Sequence, residues 1–505
     1  MKCIDIGLAG GILAIGTLLV AGTAAPLPAT TPVVRAEASY EDVACPPTVI
    51  RTAQQTASCG YLTVPESRSR LTGRTIRLFV VRERPSGPLR PDPVLALSEL
   101  GSTRDWTTPD YLPPRVHREV ITIDHRGLGR STPNLACPEL ERLAGSSLAA
   151  PLNDPRTQAT LLPAVQQCRD RLAGQGMDLG AYNLREIAAD AEDLRLALGI
   201  ERWNLRGLGS GSRIAFEILR RHGEHVRAVW FDSPEIPHFD LLTTGIVGLR
   251  NATKKLAAAC ASDRACNRRS PSLERLIARN LKMAEVRPAT VRGKHEGSEI
   301  PIALDGGTLL RAYREGFPWA PEVGPGAIQA NKVKDARLGY DWISDGPLFT
   351  LGYGVDSGRH TTFSHGAWFS TLCHDQLPFV SQNALVALTR GAPAYREAFA
   401  GSPFRDICRR WRAGRADADV RAPVTSDVPV LIFVGRFDPY GPPLLARQAA
   451  RTLRRSWVVE LPHKGYNGLA GSYCALAARN AWIDAPTSPP KTDCLRGLRI
   501  RFVLP

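Results

Sequence analysis

The feature that most limits how this chain can fold is an alternation of short apolar runs and helical segments, broken once and then resumed. Residues 75–81 (TIRLFVV), 94–97 and 119–123 (EVITI) are rich in β-branched and large apolar side chains and read as strands. Residues 184–198 have helical spacing, with Leu184, Ile187, Ala191, Leu194 and Leu198 on one face and Gly199 at the end. A short strand at 203–205, a helix at 212–221 and a strand at 226–230 follow. The pattern resumes with a strand at 428–434, a helix from about 443 to 453 and a strand at 457–461. Strands that alternate with helices build crossover units around a largely parallel sheet, so the expected class is α/β. Between about 240 and 425 the chain is helical and irregular. That stretch is expected to be an insertion over the C-terminal edge of the sheet, where such folds bind ligands.

The start of the chain bears on its compartment. Lys2 precedes an almost wholly apolar or small stretch from Ile6 to Ala25, which ends Gly22-Thr23-Ala24-Ala25 before Pro26. A positive start, an apolar run and small residues at a cut site read as a secretory signal. Roughly 20 such residues would also suffice for a membrane anchor, although their glycines and alanines favour cleavage. Ala36-Glu37-Ala38 offers a second cut site. The expected organisation is a signal at 1–25, a leader at 26–44, core at 45–240, an inserted cap at 241–425 and core again at 426–505, outside the cytoplasm. No later segment is long and apolar enough to span a membrane.

Export makes the cysteines informative. Cys3 lies in the signal, and ten remain. An even number in an oxidising compartment favours disulfides, whose connectivity the sequence leaves open. The spacings suggest local pairs 45–59, 137–168, 260–266, 373–408 and 474–494, with buried free thiols as the alternative. No Cys/His cluster has metal-ligand spacing, so no zinc site is expected. No other metal and no cofactor is expected either. With 43% hydrophobic and 22% charged residues, the composition excludes disorder, collagen or coiled coil for the whole. The net charge of +15 comes from scattered arginines, so a solvated surface is favoured over a nucleic-acid partner.

Asn204-Leu205-Arg206-Gly207-Leu208-Gly209-Ser210-Gly211-Ser212 joins a strand to a helix. An α/β hydrolase places its nucleophile elbow, G-x-S-x-G, at such a junction. Gly207 and Gly211 fall on the two flanking small positions, and the central position is Gly209. The serine is missing.

Here the chain resembles the exported tripeptidyl aminopeptidases of actinobacteria, relatives of proline iminopeptidases among the α/β hydrolases. The resemblance runs over most of residues 45–500. It includes Cys59-Gly60-Tyr61-Leu62-Thr63-Val64-Pro65 and Asp124-His125-Arg126-Gly127-Leu128-Gly129-Arg130-Ser131, then Asp193-Leu194-Arg195, Ala197-Leu198-Gly199 and Asp232-Ser233-Pro234. In the insertion it includes Cys373-His374-Asp375 and Cys408-Arg409-Arg410-Trp411, and beyond it Val434-Gly435-Arg436-Phe437-Asp438-Pro439 with Cys474 and Cys494. The family implies an α/β-hydrolase fold with a helical cap and a Ser, Asp, His triad in that chain order. Asp438 falls on the acid position and Tyr466 on the base position. Tyrosine, with a pKa of about 10, does not relay a proton as imidazole does. The family's glycine-rich oxyanion segment reads Leu97-Ser98-Glu99-Leu100-Gly101-Ser102 here, and Glu99 would set a negative charge beside a negative intermediate. In the family an acid of the cap holds the substrate's amino terminus, and Asp375 falls on that position, with a solvated loop acid as the plainer reading. Asp124, Arg126 and Ser131 read as structural.

Two readings of the site follow. In the first the chain is a pseudoenzyme that keeps a pocket for a peptide or a small ester or amide. In the second a relocated triad of Ser210, His463 and Asp438 is active. The second sets Leu208 where the tight turn wants a small residue and needs the His463 loop to shift by three positions. The plainer readings are that Ser210 caps a helix and that His463 is a surface loop residue. A third class, a basic binder of anionic envelope polymer, rests on the +15 charge alone.

Overall fold

The computed structural model describes residues 38–500 and 502, apart from 53–55, 71–72, 86, 104–116, 144–148, 152–153, 296–297, 317–362 and 402. The expected signal segment and most of the expected leader lie outside the described residues. The strands among the described residues are β1 Ser39–Val43, β2 Thr56–Pro65, β3 Thr75–Arg84, β4 Val94–Leu97, β5 Val120–Ile123, β6 Trp203–Leu208, β7 Val226–Asp232, β8 Ala289–His295, β9 Ser298–Leu304, β10 Val430–Gly435 and β11 Ser456–Leu461. Nine of them form one sheet in the order β1-β2-β3-β5-β4-β6-β7-β10-β11. Strands β1, β2, β3 and β5 pair antiparallel, and the pairings from β5 through β4, β6, β7 and β10 to β11 are parallel. This is the mostly parallel sheet, flanked by helices, of the α/β-hydrolase fold.

The parallel strands read as continuous apolar runs because both of their faces are covered. All six residues of β10 are buried. Side chains alternate between two cores: Val229 and Phe231 join the larger cluster, whereas Ala228 and Trp230 join a second cluster on the opposite face. The crossover helix Leu184–Ala197 starts where Asn183 accepts a hydrogen bond from the Glu186 N–H at 3.0 Å. It is followed by Gly199 at φ +64°.

Between β7 and β10 lie the helices Leu241–Ser262, Arg264–Arg269, Leu273–Val286 and Gly306–Gly316, and a hairpin of β8 and β9. The hairpin departs from the helical pattern expected there. Further on come the helices His365–Thr371 and Phe404–Trp411. This stretch meets loops that leave the C-terminal ends of the strands. The Ser364 N–H donates to the Gly101 carbonyl at 2.8 Å, beyond β4. The helix carrying Gly248 lies against the Pro439 backbone, beyond β10. One boundary differs from expectation: Ser39–Val43, read as leader, is the edge strand β1, in register with Cys59–Thr63 of β2.

Five disulfides join Cys45–Cys59, Cys137–Cys168, Cys260–Cys266, Cys373–Cys408 and Cys474–Cys494. These are the local pairs expected from spacing, and they indicate an oxidising, extracytoplasmic setting. Among the described residues, no helix is long and apolar enough to cross a membrane.

Candidate active site

The turn between β6 and the helix Gly211–His222 has the geometry of a nucleophile elbow. Gly209 sits at φ +49°, the left-handed conformation that a side chain disfavours. Strand and helix are pressed together around it. A Cβ at Gly207 would lie 2.8 Å from Ser212 Cα, and one at Gly211 would lie 2.6 Å from the Leu97 carbonyl oxygen. The Gly209 carbonyl accepts from the Ser212 hydroxyl at 2.5 Å and from the Glu235 N–H at 3.2 Å.

The place of the missing side chain is filled. A Cβ built at Gly209 would collide with the Tyr466 hydroxyl, and would lie 2.5 Å from Glu99 Oε1 and 3.0 Å from Tyr466 Cζ. The Tyr466 hydroxyl donates a short hydrogen bond to Glu99 Oε1. The two departures noted in the sequence are therefore one contact, between the segment expected to form the oxyanion hole and the residue on the expected base position, directly over the turn. Both residues are half-buried. The Tyr466 ring also packs on Tyr440, with centroids 5.0 Å apart. Tyr440 in turn lies under the guanidinium of Arg314, with Cζ 4.1 Å from its ring centroid.

Asp232, at the end of β7, fixes the loop that carries Tyr466. Its two carboxylate oxygens accept from the N–H groups of Gly468 and Leu469, each at 3.0 Å. The neighbouring Ser233 hydroxyl accepts from the Asn467 N–H at 3.0 Å. Burial pushes Asp232 up to about 6. Sequence reasoning assigns no role to Asp232 or Ser233 beyond the Asp-Ser-Pro resemblance; an acid ending a buried strand is the available signal.

Asp438 follows β10 and is fully enclosed. Its Oδ1 accepts from the N–H groups of Tyr440 at 2.8 Å and Gly441 at 2.9 Å. Its Oδ2 has no donor in full hydrogen-bonding geometry; the Ser233 hydroxyl lies close enough to lower its pKa as a weak donor, but is turned to Asp232 at 3.3 Å. Burial pushes Asp438 up to about 6, held back by those two backbone donors.

Ser210 and His463 are not hydrogen-bonded to each other or to Asp438. The Ser210 hydroxyl accepts from the Leu100 N–H at 2.9 Å, and the residue is helical, at φ −67° and ψ −19°. It makes no side-chain cap at the helix start, contrary to the plainer reading. The bond engages an amide of the segment expected to form the oxyanion hole. His463 is half-buried, and its Nδ1 is enclosed without a partner. Burial, and then Lys464, lowers its pKa below the ordinary histidine value.

Asp375 is buried too, which differs from a solvated loop acid. Its Oδ1 pairs with His374 Nδ1 at 2.7 Å, and its Oδ2 accepts from the Leu184 N–H at 2.9 Å, at the start of a core helix. Both oxygens are engaged, and the bond to Leu184 joins the cap to the core. Burial raises its pKa. Asp124, Arg126 and Ser131 hold the turn after β5. Asp124 Oδ2 accepts from the Arg130 N–H at 2.9 Å, the Ser131 hydroxyl donates to the Asp124 carbonyl at 2.5 Å, and Arg126 forms a two-point pair with Asp190 at 2.7 and 2.6 Å.

Two family descriptions match the chain: residues 99–286 match the alpha/beta hydrolase fold, and residues 392–494 match TAP-like protein. Among solved structures, a proline iminopeptidase-related protein from Thermus thermophilus is 16% identical, with 86% of this chain and 99% of that chain covered and a TM-score of 0.36. A thermophilic esterase from Thermogutta terrifontis is 14% identical, with 83% and 96% covered and a TM-score of 0.34. A serine hydrolase from Cycloclasticus zankles is 12% identical, with 81% and 94% covered and a TM-score of 0.34. No curated protein sequence matches the chain. With the sheet order and the two family matches together, the chain has the α/β-hydrolase fold and carries a TAP-like C-terminal segment.

Proposed function

We propose that this is an exported relative of the tripeptidyl aminopeptidases that no longer performs serine acyl transfer and instead binds a peptide or a small ester or amide. One observation carries the reading: the nucleophile's place above Gly209 is occupied by the Tyr466–Glu99 pair. Acyl transfer needs a nucleophilic atom, a base that relays its proton and donors aimed at the developing oxyanion. Gly209 supplies no such atom. Tyr466 uses its hydroxyl hydrogen in a bond to a carboxylate, and Glu99 brings negative charge to the oxyanion side. Removing the nucleophile from such a triad leaves at most about 10³ to 10⁴ of the rate enhancement. Asp438 keeps its position with one oxygen lacking a donor in full hydrogen-bonding geometry, as an acid whose histidine has gone.

Binding would centre on Glu99 of the pair rather than on the filled space above Gly209. Glu99 is the half-buried carboxylate beside the elbow and suits the ammonium of a peptide amino terminus. A fluorophosphonate probe and a tripeptide chromogenic amide test the proposal together. The expected result is no labelling and no hydrolysis, with saturable tripeptide binding that Glu99→Gln weakens. Stoichiometric labelling of Ser210, lost in Ser210→Ala, would overturn it in favour of the relocated triad.

A further inference from the structure

Most buried or half-buried arginines of the core have carboxylate partners: Arg68 and Arg126 meet Asp190, Arg171 meets Glu139, and Arg213 meets Glu235. The cap helix Leu273–Val286 is different. Arg275, Arg279 and Lys282 are exposed, and none makes an ion pair among the described residues. At 3.6 residues per turn they fall within an arc of about 100° that also holds Met283 and Val286. These two apolar side chains are 53% and 70% exposed. The opposite face is buried through Leu273, Ile277 and Leu281.

More cations without an ion pair among the described residues flank the stripe. Arg264, Arg268 and Arg269 lie before it, on the short helix that the Cys260–Cys266 disulfide fastens to the preceding helix, and Arg287 follows it. The acids of this stretch are few. Asp263 caps the short helix by accepting from the Cys266 N–H at 2.8 Å, Glu285 packs against Gly306, and Glu274 is exposed.

We infer that this face docks on an anionic lipid surface. A row of cations answers phosphate headgroups, each contributing through a field that falls off within a Debye length. The charge alone would equally suit a soluble acidic polymer. Met283 and Val286 decide between them, because exposed apolar side chains within a cationic stripe gain from entering the interface of a bilayer and gain nothing from a hydrophilic chain. The buried contacts on the far side hold the helix in place, so little ordering opposes docking.

Co-sedimentation of the full chain with phosphatidylglycerol vesicles, against phosphatidylcholine vesicles, tests this at low and high salt. The chain should bind the anionic vesicles alone, and less tightly as salt rises. Neutralising Arg275, Arg279 and Lys282 together to Gln should weaken binding about a hundredfold. The same change at Arg451, Arg454 and Arg455 of the core should leave it nearly intact, which separates the stripe from net charge. Met283→Ser with Val286→Ser should weaken vesicle binding about tenfold but leave binding to soluble polyaspartate unchanged. Failure of the native chain to bind, equal losses in both Gln triples, or unaltered vesicle binding of the Met283/Val286 variant would each overturn the inference, the last in favour of a polymer.

Discussion

Gly209→Ser restores the residue that the elbow of an active hydrolase would hold, and the structure sets its cost. A serine at φ +49° carries the strain of a left-handed backbone, about 1–2 kcal/mol. Its Cβ then meets the Tyr466 hydroxyl and Glu99, and forcing atoms into a filled space costs a further 1–3 kcal/mol or so. The expected loss is about 2–5 kcal/mol. In a chain of this size that lowers Tm by roughly 1 °C per kcal/mol. The two parts separate in a double-mutant cycle. Tyr466→Phe deletes the oxygen that collides most, so in that background the serine should cost the backbone term plus a smaller displacement of Glu99. The coupling energy should be about 1–2 kcal/mol, whereas independent sites add within a few tenths. Urea unfolding of the four proteins measures it. Gly209→Ser alone should also fail to react with a fluorophosphonate, because no imidazole is in place and Glu99 remains. Additive stabilities, or reactivity of the single variant, would refute the claim that Tyr466 and Glu99 occupy the nucleophile's place.

The other expectations concern what surrounds the elbow. Asp438→Asn should flatten one pH dependence of stability. With its folded pKa raised to about 6 above an ordinary value near 4, the buried acid binds a proton that the unfolded chain releases, so stability falls as pH rises from about 4 to 6 by roughly 3 kcal/mol, and the variant should lose that fall in urea titrations at stepped pH. Asp232→Asn keeps the side chain's shape but replaces an acceptor oxygen with a donor, so one of the Gly468 and Leu469 N–H groups loses its partner; faster hydrogen exchange of residues 466–469 is the expected readout. Arg126→Met leaves Asp190 with Arg68 as its remaining cation and should cost about 2–3 kcal/mol in urea unfolding. Replacing Cys373 and Cys408 with serine removes a cross-link spanning 35 residues and should lower stability by about 3–4 kcal/mol.

The parts of the fold that are legible in the sequence are those whose cause is local. Six buried residues in β10 announce a central parallel strand, and the glycines at 207, 209 and 211 announce a tight strand-to-helix turn. What escapes depends on partners far away in the chain. Ser39–Val43 is mostly exposed and gains its strand character from pairing with β2. The hairpin of β8 and β9 contains Gly293 and Pro301, which weaken a strand signal. Ser210 reads as a helix cap, but its hydroxyl turns to an amide 110 residues earlier. Asp232 gains its role from a loop more than 230 residues later.

Glu99 and Tyr466 show the same limit at the site itself. Each is visible as a departure, yet nothing in the spacing of residues 367 apart says that they touch. Their contact changes how the departures are to be understood. A tyrosine hydroxyl can stand over the elbow only if position 209 has no side chain, and a carboxylate on the oxyanion segment is tolerable there only if it finds a donor. Tyr466 is one such donor, and Gly209 leaves the room for it while relieving the left-handed turn of its strain. The three residues therefore stabilise one another, and restoring any one of them singly disturbs the other two before it restores any chemistry. That mutual dependence supports the proposed non-catalytic role, because no single substitution at these three positions leaves the other two undisturbed.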